Sequence, residues 1–387
     1  MIHKPIKKDN IFCLALSIAL IFLTLKDTTF ALSRVIIYGA VGLSILLVMF
    51  EIIYFDIKTN IRNSILGIAF FIASVISFIK IGKGIEILLI SIFMIGAYKV
   101  DFQKIIKTFL YTNTSVVLLV ITSFKLGFIS EVVSNRNGVF RHSFGFNWPT
   151  DFVSMIVYIL LADLYLALVE NKKIIWREVL YILLAGFTYI YCNSRLGSFY
   201  IILLIPLSVY FHWWCVHQSQ IKLRFIKKYF FIICTLLSVA IVLLYKNNPS
   251  NSFMFNLNNF SSNRLYLTVN NLNLHGLTLW GQYIYDQTSS VIPSWNFIDS
   301  VYWAFLIEYG LILLILFEII YIKAMNRFIL NKQNILIIIC MLLCLMAIFD
   351  IHFYALEYNV FLLSFSANLP KKNSMNNGNV NFKVRKN

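Results

Sequence analysis

Long apolar runs, separated by short polar segments, cover most of the chain. They lie at about 11–25, 35–55, 63–79, 85–98, 108–124, 150–169, 178–192, 198–217, 229–245, 301–322, 335–349 and 352–367. A helix needs about 20 apolar residues to span a bilayer, so the shorter runs have loose boundaries. The runs are continuous, whereas the strands of a membrane barrel alternate apolar and polar positions. The pattern predicts an all-α integral membrane protein with about twelve transmembrane helices, in one membrane domain over 1–370.

Composition supports a membrane protein over a soluble one. Of the 387 residues, 59% are hydrophobic and only 13% are charged, whereas a soluble domain carries about 25% charged residues. The basic start followed by an apolar run resembles a signal peptide, but no small-residue cleavage site follows it. The first run is therefore predicted to be an uncleaved span.

The positions of the basic residues predict the orientation. With the N-terminus in the cytoplasm, most of the 33 lysines and arginines fall in cytoplasmic segments, as the positive-inside rule requires. Both termini are then cytoplasmic, and 371–387 is predicted to be a disordered cytoplasmic tail. The net charge of +16 is explained by attraction to the anionic inner leaflet, so it does not indicate nucleic acid binding.

Two long loops are predicted on the outside, at about 125–149 and 246–300. The second is the large external loop and is long enough to form a small lid. No phosphate-binding loop occurs, because "IGKG" at 81–84 is too short to cradle a phosphate, which excludes nucleotide hydrolysis. The six cysteines lie in or beside apolar runs and are read as buried thiols rather than metal ligands.

Three external stretches are polar in an organised way. The first, "NGVFRHSFGFNWPTD" at 137–151, follows Arg136 and carries Arg141 and His142. Its "NWPTD" end predicts a helix start, with Asn147 as the cap and a proline in the first turn. The second, "YCNSRLGSFY" at 191–200, places Arg195 in a tight turn, where a lone external arginine opposes the positive-inside bias.

The third stretch lies in the large external loop and at the start of the next span. It carries Arg264, His275 and Asp299, and Glu308 follows within the span. Glu308 comes nine residues after Asp299, about 13 Å deeper along a helix. An ionisable residue at that depth is a functional candidate.

Arginine is always charged, and its planar fork binds phosphate in a bidentate way. An outer cavity lined by arginines points to a diphosphate delivered by the membrane. The chain has no D-x-D pair, which disfavours metal-dependent glycosyl transfer, and neither a metal nor another cofactor is expected. The alternative to ligand binding is a structural role, in which Arg141 anchors the chain at the membrane interface and Arg195 is a polar residue of the turn between two spans. The outer acids and histidines are Asp27, Glu131, Asp151, Asp286, Asp299, Asp350, His142, His275 and His352.

The chain resembles Wzy-type polysaccharide polymerases, within the O-antigen polymerase and ligase superfamily. The resemblance lies in four stretches, which occur in the family's order and on the same predicted side of the membrane: "RHSFGFNWPTD", "NSRLGSFY", "NRLYLT…GLTLWGQ" and "DSVYWAFLIEYG". The resemblance covers residues 136 to 310. It implies a multi-pass glycosyltransferase of the bacterial cytoplasmic membrane, in capsule, exopolysaccharide or O-antigen biosynthesis. Its substrates would be oligosaccharide repeat units on undecaprenyl diphosphate, with a chain-length regulator and a flippase as pathway partners.

The resemblance also implies roles for individual residues. Arg141, Arg195 and Arg264 match the diphosphate-binding arginines, with Arg136 as a fourth candidate. Asp299 matches the position at which the ligases of the superfamily carry a histidine, so the general base is open between Asp299, His275 and His142. A carboxylate can serve if it avoids a tight ion pair with the arginines.

Two alternative functions are retained. A lipid-linked oligosaccharide flippase also has about twelve helices, but its charges should line a cavity through the bilayer. A ligase moves finished glycan to another acceptor, and polymer length distinguishes it from a polymerase.

Overall fold

The computed structural model describes residues 7–56, 61–82, 85–136, 138–172, 174–217, 224–284, 288–289, 292–293 and 297–370. The tail predicted at 371–387 and the outer acid Asp286 lie outside these residues. The described chain is nearly all-α, with two short β-hairpins.

The helices and strands follow one another in this order: α1 (Lys8–Lys26), α2 (Arg34–Asp56), α3 (Ile61–Ile81), α4 (Glu86–Gly96), α5 (Phe102–Lys125), β1 (Val133–Arg136), β2 (Val139–His142), α6 (Pro149–Val169), α7 (Ile175–Cys192), α8 (Arg195–His217), α9 (Arg224–Lys228), α10 (Phe230–Asn247), α11 (Ser252–Phe260), α12 (Arg264–His275), β3 (Thr288–Ser289), β4 (Ile292–Pro293), α13 (Val301–Ala304), a π-helix (Phe305–Tyr309), α14 (Leu311–Leu330), α15 (Asn334–Met346), and two 3-10 helices (Ile351–Tyr354 and Val360–Phe365).

Six helices in the described residues are long and apolar enough to cross a membrane: α1, α2, α5, α6, α7 and α10. Shorter apolar helices lie in 65–81, 86–96, 195–211 and 334–346. These lengths and compositions indicate a multi-pass membrane protein. Helix α6 is the most enclosed of the six, with 83% of its apolar window buried inside the protein.

The start of α6 differs in detail from the sequence prediction. Pro149 occupies the first turn, as predicted, but the capping position is Trp148, whose side chain makes no capping hydrogen bond. Asn147 instead donates its side-chain amide to the Lys26 carbonyl, 3.2 Å away. The predicted cap therefore ties the end of α1 to the start of α6.

Polar contacts gather at the two ends of the helix bundle. At one end, Lys26 contacts Glu86, Arg136 contacts Asn193, and Arg195 contacts Asn259. At the other end, Lys104 contacts Asp9, Lys107 contacts Glu170, and Arg224 contacts Asn326. Each of these contacts joins two segments that the basic-residue pattern predicts to lie on the same side of the membrane.

The apolar run predicted as one span at 301–322 is broken at Gly310. The π-helix ends there with a φ of 106° and a ψ of 144°, and α14 begins at the next residue. A Cβ on Gly310 would lie 2.5 Å from the Leu279 carbonyl oxygen. Glycine is therefore required both by its backbone conformation and by the close approach of a second segment.

That second segment comes from the large external loop and bonds to the broken helix. The backbone N–H of Thr278 donates to Leu306 O at 3.1 Å, and that of Gln282 to Glu308 O at 2.9 Å. In return, Leu311 N–H donates to Thr278 O at 2.9 Å. Backbone groups freed by the break are thus satisfied by protein. Within a bilayer, non-helical backbone is tolerated only where such partners are present.

The last apolar run, predicted as a span at 352–367, does not form an α-helix. It forms two 3-10 helices, and nearly all its residues are buried among the other helices. Side-chain amides satisfy its free carbonyls: Asn113 donates to Glu357 O and Asn359 to Phe353 O, each at 2.7 Å. The segment still connects the two ends of the bundle, since Asn368 N–H bonds to Val100 O beside the start of α5.

Candidate functional site

The β1–β2 hairpin carries Arg136 and Arg141 to the end of α7. Arg141 Nε donates to Cys192 O at 3.0 Å. Arg136 Nη2 lies 2.5 Å from Asn193 O, and its Nη1 lies 2.6 Å from Ser262 Oγ. Asn193 ends α7 in the left-handed conformation, with a φ of 45°. The last carbonyls of the helix carry partial negative charge, which attracts the two guanidinium groups.

Arg195 and Arg264 are each the first residue of a helix, and both reach the same region. Arg195 opens α8 and is exposed, with a long bond of 3.4 Å from Nη1 to Asn259 O. Arg264 opens α12 and is largely buried, with its Nη1 donating to Phe349 O. A small pocket beside Arg264 is lined mainly by apolar side chains, together with Ser238, Thr268 and Ser300.

Together Arg136, Arg141, Arg195 and Arg264 form what we call the arginine cluster. Burial, and then the positive charges of the other three arginines, lower the pKa of Arg136 to about 10. Burial and the charge of Arg264 also lower the pKa of Arg141. The four side chains therefore share one electropositive region, although they come from four separate segments.

One carboxylate contacts the arginine cluster within the described residues. Asp299 Oδ2 lies 2.8 Å from Arg264 Nε. Burial raises the pKa of Asp299, and Arg264 opposes that rise without cancelling it. A carboxylate serves as a general base if it avoids a tight ion pair, and Asp299 forms such a pair with Arg264.

Next to Asp299 lies a cluster of His352, Asp350 and Asp151, three of the predicted outer acids and histidines that are not among the predicted site residues. His352 Nδ1 lies 2.5 Å from Asp350 Oδ1, and its Nε2 lies 3.5 Å from Asp151 Oδ1. Burial raises the pKa of Asp350, but the adjacent His352 outweighs it and the net pKa is lowered. The only sequence signal was "FDIHFY", an Asp-x-His pair inside an apolar run.

His142 lies apart from the arginine cluster. In β2 it follows Arg141 directly, so the two side chains point to opposite faces of the hairpin. Its Nδ1 lies 3.0 Å from Glu131 Oε2. This contact joins β2 to the segment that precedes β1, and it directs the His142 side chain away from the guanidinium groups.

His275 and Glu308 belong to a different neighbourhood, around Gln282. His275 ends α12, about 16 Å along the helix from Arg264, and Gln282 donates to its carbonyl at 3.1 Å. Burial lowers the pKa of His275. Glu308 lies in the π-helix, and its carbonyl accepts from the Gln282 backbone. His275 therefore lies at the other end of α12 from Arg264, and the backbone of Glu308 packs against the Gln282 segment.

A second set of buried polar groups, Tyr358 and Asp27, connects His352 to the end of α1. The Tyr358 ring centroid lies 4.2 Å from that of His352, and Tyr358 Oη donates to Asp27 Oδ2 at 2.9 Å. Burial, and then the negative charge of Glu357, raise the pKa of Asp27 to about 8.

Chemically, the arrangement suits an anion with several oxygens. Guanidinium groups stabilise charge that develops on a phosphate, and Asp299 is the acid placed beside them. Among the described residues, no group of three or more His, Cys, Asp or Glu side chains is arranged to hold a metal ion. Comparison with models of known protein families, with curated proteins and with solved structures finds no match to this chain in any of the three.

Proposed function

We propose that this chain is a membrane glycosyltransferase that polymerises oligosaccharide repeat units carried on undecaprenyl diphosphate. The reaction takes place at the outer face of a bacterial cytoplasmic membrane, in the synthesis of capsule, exopolysaccharide or O-antigen. The chain crosses the membrane about twelve times with both termini in the cytoplasm, and the final crossing is the non-helical segment after α15. A chain-length regulator and a flippase of the same pathway would be its partners.

The observation that carries the proposal is the convergence of the arginine cluster. Its four members come from the β1–β2 hairpin and from the starts of α8 and α12. Within the described residues, Arg136, Arg141 and Arg195 contact neutral oxygens and no carboxylate. A region with that excess of positive charge favours a polyanionic ligand, and a diphosphate matches the guanidinium fork.

In the proposed reaction, the growing glycan leaves its lipid diphosphate and is transferred to a hydroxyl of the next lipid-linked unit. The arginine cluster stabilises the negative charge that develops on the departing diphosphate. Asp299 is the preferred general base, because it lies beside the cluster while His142 and His275 lie elsewhere.

The sidedness of the cluster supports this function over transport. Its contacts belong to the bundle end that the basic-residue pattern predicts to be external, together with the long loops. The charges found at the opposite end are a separate set, exemplified by Lys104 with Asp9 and Lys107 with Glu170. A flippase is expected to carry its charges along a path between the two ends.

The proposal is tested by measuring the amount and length of lipid-linked glycans in cells that express single variants. Arg141→Ala and Arg195→Ala should accumulate single repeat units on the lipid carrier and lose long polymer. Arg224→Ala is the matched control, because Arg224 bonds to Asn326 at the predicted cytoplasmic end.

Normal polymer from both variants would contradict the proposal. Lipid-linked units held on the inner leaflet after deletion of the gene would indicate a flippase. Full-length polymer that fails only to reach its final acceptor would indicate a ligase.

A further inference from the structure

The ion pair between Arg264 and Asp299 distinguishes Arg264 from the rest of the arginine cluster. Asp299 Oδ2 lies 2.8 Å from Arg264 Nε, and both side chains are more than four-fifths buried. Arg264 also donates to the Phe349 carbonyl. Arg264 is thus the cluster member whose partner in the described structure carries a full negative charge.

The other acids near Asp299 already have a cation. His352 lies between Asp350 and Asp151, with one ring nitrogen facing each carboxylate. An imidazole with an acceptor at both nitrogens is stabilised in its doubly protonated form. Asp299 therefore depends on Arg264 for its neutralisation, and a stronger anion on Arg264 would leave Asp299 without a counter-ion.

We propose that Asp299 is the resting counter-ion of Arg264, that a lipid-linked diphosphate displaces it, and that the released carboxylate then accepts the proton of the acceptor hydroxyl. This inference rests on the proposed function and adds an order to it: the base becomes available only after the donor has bound.

The bond changes balance without a further reactant. The acceptor oxygen forms a bond to the anomeric carbon of the donor glycan, and the bond from that carbon to the diphosphate oxygen breaks. The electron pair of the broken bond stays on the diphosphate. The hydroxyl proton moves to an Asp299 oxygen and from there to solvent, after which Asp299 returns to Arg264.

The displaced carboxylate is a better base than the paired one. In the ion pair, Arg264 counteracts the rise that burial gives to the pKa of Asp299. Removing Arg264 from its oxygens, and placing a diphosphate nearby, both favour the protonated acid. In the absence of a donor the same ion pair keeps Asp299 weakly basic, so that water is not activated.

Binding of inorganic pyrophosphate and of farnesyl diphosphate to the detergent-solubilised full-length protein, measured by calorimetry, tests the exchange. Asp299→Asn removes the competing charge, so its affinity for both probes should rise by roughly tenfold, the size expected when a charge-assisted hydrogen bond no longer has to be broken. Polymerisation by the same variant should be lost. A residue that only supports the fold would lose binding together with activity.

Asp163→Asn is the matched control. Asp163 forms the same kind of pair with Arg177, 2.7 Å from Nε to Oδ2, at the opposite end of α6, and its loss should leave the affinity unchanged. In an Arg264→Gln background the Asp299→Asn change should raise the affinity much less than in wild type, because only the repulsion between Asp299 and the diphosphate is then removed and no ion pair has to be broken. If Asp299→Asn fails to fold, Asp299→Ser removes the same charge with a smaller side chain.

The outcomes separate the two proposals. Wild-type protein that binds neither probe overturns the proposed diphosphate site and the exchange with it. Wild-type binding with unchanged or weakened affinity in folded Asp299→Asn and Asp299→Ser variants overturns the exchange alone.

Discussion

Arg141 Nε donates to the carbonyl oxygen of Cys192, 3.0 Å away, and this bond fixes the β1–β2 hairpin to the end of α7. Arg136 makes a similar bond to Asn193. The turn that these two arginines hold carries Arg195 to the start of α8. Two members of the arginine cluster therefore position a third.

Arg136→Ala and Arg195→Ala should separate the structural and functional effects of the cluster. Arg136 donates to both Asn193 and Ser262, so its loss should lower the free energy of unfolding by about 1–3 kcal/mol. Arg195 is exposed and makes one long bond, so its loss should leave the unfolding temperature unchanged while polymer formation falls. Thermal unfolding in detergent and polymer length in cells are the two measurements. Equal loss of stability in the two variants would contradict this division.

Gly310→Ala should prevent the broken helix from packing. A Cβ there would lie 2.5 Å from Leu279 O and 2.7 Å from Gly281 N, and the φ of 106° is strained for any other residue. Because the obstructing atoms are backbone, relief requires the external-loop segment to move. The yield of folded protein on size-exclusion chromatography should fall sharply.

Gly186→Ala is the control for this substitution. Gly186 lies within α7, and a Cβ there would meet nothing within 4 Å. Alanine should be neutral or stabilise the helix by about 0.5–1 kcal/mol. A Gly310→Ala protein as abundant and as stable as Gly186→Ala would show that the break does not need glycine.

Asp27 should make the protein less stable as the pH rises from about 4 to about 8. Burial and then Glu357 raise its pKa to about 8, while Lys26 and Tyr358 oppose the rise and Asp151 adds to it. The folded state therefore binds a proton that the unfolded state, with a pKa near 4, has lost within this window. Stability is greatest below the unfolded pKa, falls through the window, and is constant above it.

The unfolding temperature at pH 5 and at pH 8, in wild type and in Asp27→Asn, checks this dependence. Asparagine keeps an oxygen that can accept from Tyr358 but does not titrate, so the variant should show the smaller difference between the two pH values. An identical decline in both proteins would assign the pH dependence to another group.

Hydropathy was sufficient to place most helices, because apolar runs of spanning length report directly on the membrane-crossing segments. It could not detect the break at Gly310 or the non-helical run after Asp350. Both stretches are as apolar as a helix, and their backbone is decided by partners distant in sequence, such as Thr278 for the break and Asn113 for the last run.

The candidate site was only partly predicted from the sequence, because some of its contacts join residues that are distant along the chain. The polar stretches and the family resemblance singled out the four arginines, and the structure brings them together. The pairing of Arg264 with Asp299, and of His352 with Asp350 and Asp151, depends on how α6, α12 and the last segment pack. Glu308 was chosen for its predicted depth in the membrane and His275 as one of the outer histidines, and the structure places both beside the Gln282 segment.

The final segment has a consequence for how the protein is made. Residues 351–368 run from the arginine-cluster end of the bundle to the opposite end without forming an α-helix, and their carbonyls rely on amides such as that of Asn113 in α5. A chain in this conformation cannot rest alone in lipid, where its peptide groups would have no partners. In the proposed topology, we expect the earlier helices to assemble first and the 351–368 run to adopt this conformation only when it packs against them.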